Sequence, residues 1–96
     1  MVLRVGRTGI MCVRLPCPYL GIYQPGAKNM QELRSSLLYA DLNGKTGLPD
    51  LEGAAADLKA VRDAWDRSDC VEIRGRLDGT SGDQTLHVEK IIGQCR

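Results

Sequence analysis

The stretch VEIRGRLDGTSGDQTLHVEKII, residues 71–92, decides the fold class of this chain. Val71, Ile73, Gly75 and Leu77 fall on one side of an extended segment, and Glu72, Arg74 and Arg76 on the other. After the Gly/Asp/Ser-rich run Asp78–Asp83, Leu86, Val88, Lys90 and Ile92 alternate with Thr85, His87, Glu89 and Ile91. A period of two on both sides of a turn-forming run reads as a β-hairpin with one buried face. The pattern predicts Val71, Ile73, Leu77, Leu86 and Val88 inside, with Glu72, Arg74, His87 and Glu89 outside. Arg74 or Arg76 is expected to oppose Glu89 across the ladder.

Upstream of the hairpin, Leu51, Ala54, Leu58, Val61 and Trp65 recur every three or four residues, and Asp50 can cap them. A helix over 51–66 follows, with Trp65 as a core anchor. Asn29 and Glu32 have the form of a capping box, and Met30, Leu33, Leu37 and Ala40 continue it at helical spacing. The expectation there is a helix over 30–42. Residues 37–44 also allow a strand entering a tight turn at Asn43-Gly44. Residues 2–15 read as extended with breaks at Gly6 and Gly9, and Tyr19–Gln24 as a further short strand before the Pro25-Gly26 turn. The fold class is therefore α+β: an antiparallel sheet of four to five strands with one or two helices. Ninety-six residues leave room for a single domain over 1–96.

The helix at 51–66 followed by the strand pair resembles the closing elements of OB-fold modules. The resemblance covers about a quarter of the chain and implies a partly open barrel. It would place a third strand over 35–43. It also implies a binding face on the middle strands and loops, for nucleic acids, saccharides or proteins.

Charge is divided unevenly. Residues 1–48 hold six basic side chains against two acids, whereas 49–96 hold seven against ten. Arg4, Arg7, Arg14, Tyr19, Tyr23 and Lys28 all precede the first acid, Glu32, and Arg74 and Arg76 join them if the first strand packs beside the hairpin. These eight are the candidate ligand-binding residues, suited to a phosphate backbone. The net charge of +1 excludes a strongly basic nucleic-acid arm.

Several chemistries are missing. Gly6-Arg-Thr-Gly9 is neither a P-loop nor a dinucleotide fingerprint, and no zincin or calcium-loop pattern occurs. Cys12, Cys17, Cys70 and Cys95 lack the paired C-x2-C spacing of a structural zinc site, so neither a metal nor a cofactor is expected. No apolar run approaches the length of a membrane span, and Arg4 and Arg7 interrupt any signal-peptide core. The expectation is a cytoplasmic protein with four free thiols, the alternative being two disulfides in one of three connectivities. His87 is the only histidine. A small enzyme would have to use it with a nearby carboxylate and thiol, and no catalytic residue is assigned. The leading function is a small non-enzymatic binding or assembly module. A nucleic-acid-binding domain using the basic half comes second, and a His87 enzyme third. Apolar residues on both faces of 10–15 and of the last strand, where Ile91 opposes Leu86 and Val88, suggest a homodimer.

Overall fold

The computed structural model describes residues 1–11, 17–41, 47–80 and 83–95. Among these residues the chain forms six strands and two helices. In order they are β1 (Val2–Arg7), β2 (Leu20–Tyr23), α1 (Met30–Ser35), β3 (Tyr39–Asp41), β4 (Asp50–Gly53), α2 (Ala55–Asp66), β5 (Cys70–Thr80) and β6 (Asp83–Gln94). The strands lie in the order β3-β2-β1-β5-β6-β4 and curl into a half-barrel. Every neighbouring pair is antiparallel except β4 with β6. The sheet is thus mixed and larger than the four to five antiparallel strands expected.

The hairpin of β5 and β6 dominates the sheet. Its ladder runs from Val71↔Gln94 to Thr80↔Asp83, so most of the run read as a turn is paired. Ser81 and Gly82 lie outside the described residues. Val71, Ile73, Leu86 and Val88 are buried, Leu77 is half-buried, and Arg74 and Glu89 are exposed. Glu72 and His87, predicted outside, are half-buried, so the inside face stands and the outside face stands in part. The ladder differs in one respect, because its register shifts twice. Ile73 pairs with Ile91 while Glu72 pairs with Gly93, and Gly75 pairs with Val88 while Arg74 pairs with Lys90. Ile92 and Glu89 are the extra residues of two β-bulges. Each bulge resets the alternation. Consequently Ile91 packs against the core, Ile92 turns outward, and Glu89 opposes neither arginine. This removes Ile91 from the apolar surface on which the dimer was inferred.

Leu51 is drawn into parallel pairing opposite Leu86, which takes 50–53 out of the predicted helix. Asp50 is therefore a strand residue. The helix starts at Ala55 behind Ala54, which makes no side-chain cap bond. The Asn29 cap forms as expected, with its Oδ1 accepting from the Glu32 amide at 2.8 Å. Its helix ends at Ser35, however, and residues 39–41 form β3 beside β2. Both readings of 30–42 hold, each for part of the segment. Asn43 and Gly44 lie outside the described residues.

The core sits between the inner sheet face and α2. Leu3, Val5 and Ile22 come from β1 and β2, Val71, Ile73, Leu86 and Val88 from the hairpin, and Val61 and Trp65 from α2. Trp65 packs its ring 6.4 Å from that of Tyr39, across the end of the sheet. Gly75 faces this interior with no room for a side chain. A Cβ there would run into the His87 carbonyl, where the bulge brings the two backbones together.

Leu86 is fully buried at the centre of the core. Leu86→Ala is expected to cost about 2–4 kcal/mol in urea unfolding with little change in slope. Gly75→Ala should cost about 1–3 kcal/mol although it adds only a methyl group. A neutral Gly75→Ala would refute the close approach of β5 and β6.

Candidate functional site

Alternation sends Arg4 to the outer face of β1, away from Leu3 and Val5. There it lies between two cross-strand partners, Tyr23 on β2 and Glu72 on β5. Arg4 Nε donates to Glu72 Oε2 at 3.0 Å. The Tyr23 hydroxyl donates to the Arg7 carbonyl at 3.3 Å and lies 3.6 Å from Cys70 Sγ. Burial pushes the Tyr23 phenol up, against the opposing pull of Arg4 and Arg7. Tyr23 thus stays protonated and serves as a donor.

Next to this row, Gly6 has φ +126° and its Cα faces the Asp69 carbonyl so closely that a Cβ would collide with it. The Arg7 amide donates to that same carbonyl at 2.9 Å. Thr8 then ties the start of the β1–β2 connection to its end. Its hydroxyl donates to the Pro18 carbonyl at 2.8 Å and accepts from the Ile10 amide at 3.1 Å. These contacts hold the rim of an open cleft of about 420 Å³, lined by Arg4, Arg7, Thr8, Gly9, Tyr23, Asp69, Cys70, Gln94 and Cys95.

The cleft wall holds the main correction to the sequence reading. Cys70 and Cys95 form a disulfide with Cα atoms 5.4 Å apart. Cys17 is disulfide-bonded as well, and none of the described cysteines is a free thiol. Cys12 lies outside the described residues. The expectation of four free thiols fails for a simple reason. Cys70 opens β5 and Cys95 follows β6, so continuing the ladder beyond Val71↔Gln94 sets them side by side. That part of the case for a cytoplasmic location falls with the thiols. No helix among the described residues is long and apolar enough to cross a membrane.

Of the eight candidate binding residues, Arg4, Arg7 and Tyr23 are brought together in this cleft. Arg74 lies on the same outer face, opposite Val2 and Lys90. Arg76 is farther along β5 and is committed to Asp78 at 2.8 Å. Tyr19, 49% exposed, and Lys28 lie on connecting segments and do not line the cleft. Arg14 lies outside the described residues. Sequence reasoning missed Thr8, Gly9, Asp69, Gln94 and the two cysteines as lining of the site.

No protein-family model matches this chain. Neither a curated protein nor a solved structure matches it significantly.

His87 belongs to a second cluster on the outer face of β4, β5 and β6. Its Nδ1 lies 2.9 Å from Glu52 Oε2 and its Nε2 3.0 Å from Asp78 Oδ2. Both contacts are hydrogen bonds only when both ring nitrogens carry protons. The ring lies between carboxylates of the two strands that flank β6, with neither nitrogen turned to a nucleophile. Among the described residues no His, Cys, Asp and Glu are grouped to hold a metal.

Asp78 has its pKa lowered, first by the hydrogen bond from Arg76 and further by the charges of Arg76 and His87. A carboxylate depressed in the folded state stabilises above its unfolded pKa and loses that contribution as pH falls through its folded pKa. Acid titration of thermal stability should therefore show a limb below the ordinary carboxylate range, and Asp78→Asn should flatten it. For the cysteines, Cys95→Ser is expected to lower stability by about 3 kcal/mol, given the 25-residue separation of the pair. Non-reducing peptide mapping should recover Cys70 and Cys95 linked; finding both alkylated would contradict the pairing.

Proposed function

We propose that this protein is a small non-enzymatic binding module that takes an anionic ligand in the cleft beside Arg7. One observation carries the reading. Among the described residues, Arg7 is the cleft arginine whose guanidinium makes no ion pair, whereas Arg4 is committed to Glu72. Arg7 is exposed, fixed at its backbone by Asp69 and flanked by the Tyr23 hydroxyl. An exposed guanidinium carried on a fixed backbone suits a carboxylate, sulfate or phosphate group. The curl of the sheet supports an OB-like barrel. Thr8 and Gly9 belong to the β1–β2 connection, one of the loops on which such barrels bind ligands.

A nucleic-acid strand is the second reading, favoured by the Arg74–Lys90 cross-strand pair on the same outer face. Together with Arg7 it offers a basic track for several phosphates. Stacking would fall to Tyr19, because Tyr23 is only 7% exposed.

The two readings separate in titration. Inorganic pyrophosphate followed by NMR is expected to shift the Arg7, Thr8 and Gly9 amides. Arg7→Glu should weaken binding about tenfold or more, equivalent to about 1.4 kcal/mol. Amides that do not move, or an unaffected Arg7→Glu variant, would defeat the anion reading. A labelled single-stranded oligonucleotide tests the second: a track contacting about three phosphates should give a log–log salt slope near −2.

A further inference from the structure

We propose that the Cys70–Cys95 disulfide is an exchange site for an anionic thiol, meaning a small-molecule or peptide thiol that carries carboxylate or sulfonate groups. The proposal rests on the anion reading of the cleft and specifies a ligand class for it. The bond lies in the cleft wall, not in the core, and both cysteines are partly exposed. Cys17, by contrast, is 0% exposed. An incoming thiolate therefore reaches this bond through the same opening that presents Arg7.

The surroundings of the two sulfurs differ, and this sets the direction of the reaction. Cys70 Sγ lies 3.6 Å from the Tyr23 hydroxyl, and Tyr23 itself feels the charges of Arg4 and Arg7. A thiolate at Cys70 would draw that hydroxyl's proton from the Arg7 carbonyl to itself and face the Arg7 charge. Cys95 sits after the last strand, where its amide donates to the Cys70 carbonyl at 3.1 Å. In exchange, the sulfur that leaves faster is the one whose thiolate is better stabilised. The incoming thiolate therefore attacks Cys95 Sγ. A new S–S bond forms there, the Cys70–Cys95 bond breaks, and its electron pair departs on Cys70 Sγ. One thiolate is consumed and one is released, so charge balances and no further oxidant or reductant is needed. Attack of the Cys70 thiolate on Cys95 Sγ reverses the step and expels the bound thiol. Asp69 lines the same cleft and Glu72 neutralises Arg4, which leaves Arg7 as the group that favours anionic over cationic thiols.

The oxidised protein would be challenged separately with 2-mercaptoethanesulfonate and cysteamine, at equal thiolate concentration and low ionic strength. Acid quenching, alkylation and peptide mass spectrometry would then place the adduct. The expected result is about fivefold faster opening by the sulfonate thiol, with the adduct on Cys95 and the alkyl group on Cys70. The preference should collapse in Arg7→Gln, and also in the unaltered protein at about 0.5 M NaCl, which does not depend on any variant folding. Equal rates for the two thiols, or an adduct on Cys70, would overturn the proposal. Pyrophosphate binding by the unaltered, oxidised protein separates the two claims. If that binding is found without a thiol preference, exchange falls and the anion reading stands. If neither is found, both fall.

Discussion

The β5–β6 ladder is the constraint on which the rest of this structure depends. It supplies Val71, Ile73, Leu86 and Val88 to the core and offers an edge to each remaining part of the sheet. β1 pairs along β5 and β4 along β6. Two long strands paired over most of their length also solve a problem of size. A chain of 96 residues buries a modest share of its surface, so the core must be drawn from few elements. The hairpin brings distant residues together at low entropic cost because its own closure is local.

The two bulges in that ladder have effects at three places. Between Arg74 and Gly75 the shift leaves Glu89 outside the pairing and brings the His87 carbonyl against Gly75. Between Glu72 and Ile73 it turns Ile91 inward and Ile92 outward. Their combined effect reaches the end of the hairpin. Counted back from Thr80↔Asp83 without the two extra residues, Cys70 would face Gly93. With them, the ladder arrives at Val71↔Gln94, and Cys95 comes level with Cys70. The disulfide, and with it one wall of the cleft, follows from a register that bulged strands impose.

The outer face illustrates how context reassigns charged residues. Arg4, Arg7, Arg74 and Arg76 are equivalent as basic residues in a sequence. In the fold they have four situations: Arg4 bound to Glu72, Arg76 to Asp78, Arg74 beside Lys90, and Arg7 at the cleft mouth. Exposed pairs such as Arg76–Asp78 add little to stability, on the order of 0–1 kcal/mol. Their effect is to remove a cation from the set available to a ligand. His87 is likewise occupied, since carboxylates from β4 and β5 flank both of its nitrogens.

What the sequence by itself determined is what depends on neighbours a few residues away. The period of two over 71–77 and 86–88, the Asn29 cap and the apolar stripe of α2 with Val61 and Trp65 are all local patterns. Each appears in the fold, the α2 stripe without Leu51 and Ala54. Segments with two local solutions were decided by tertiary pairing. Leu51 left the predicted helix because pairing opposite Leu86 gives Asp50–Gly53 backbone partners on β6. Residues 39–41 became β3 because β2 offered an open edge. The cleft was legible only in part. Arg4, Arg7 and Tyr23 stood out as basic and aromatic residues, but their convergence required β1 to lie between β2 and β5. Cys70–Cys95 was one of several pairings open in the alternative with disulfides and could not be singled out, because pairing in a ladder depends on the count of residues between two points. Two bulges alter that count, and both lie within the ladder, beside Ile73 and Gly75.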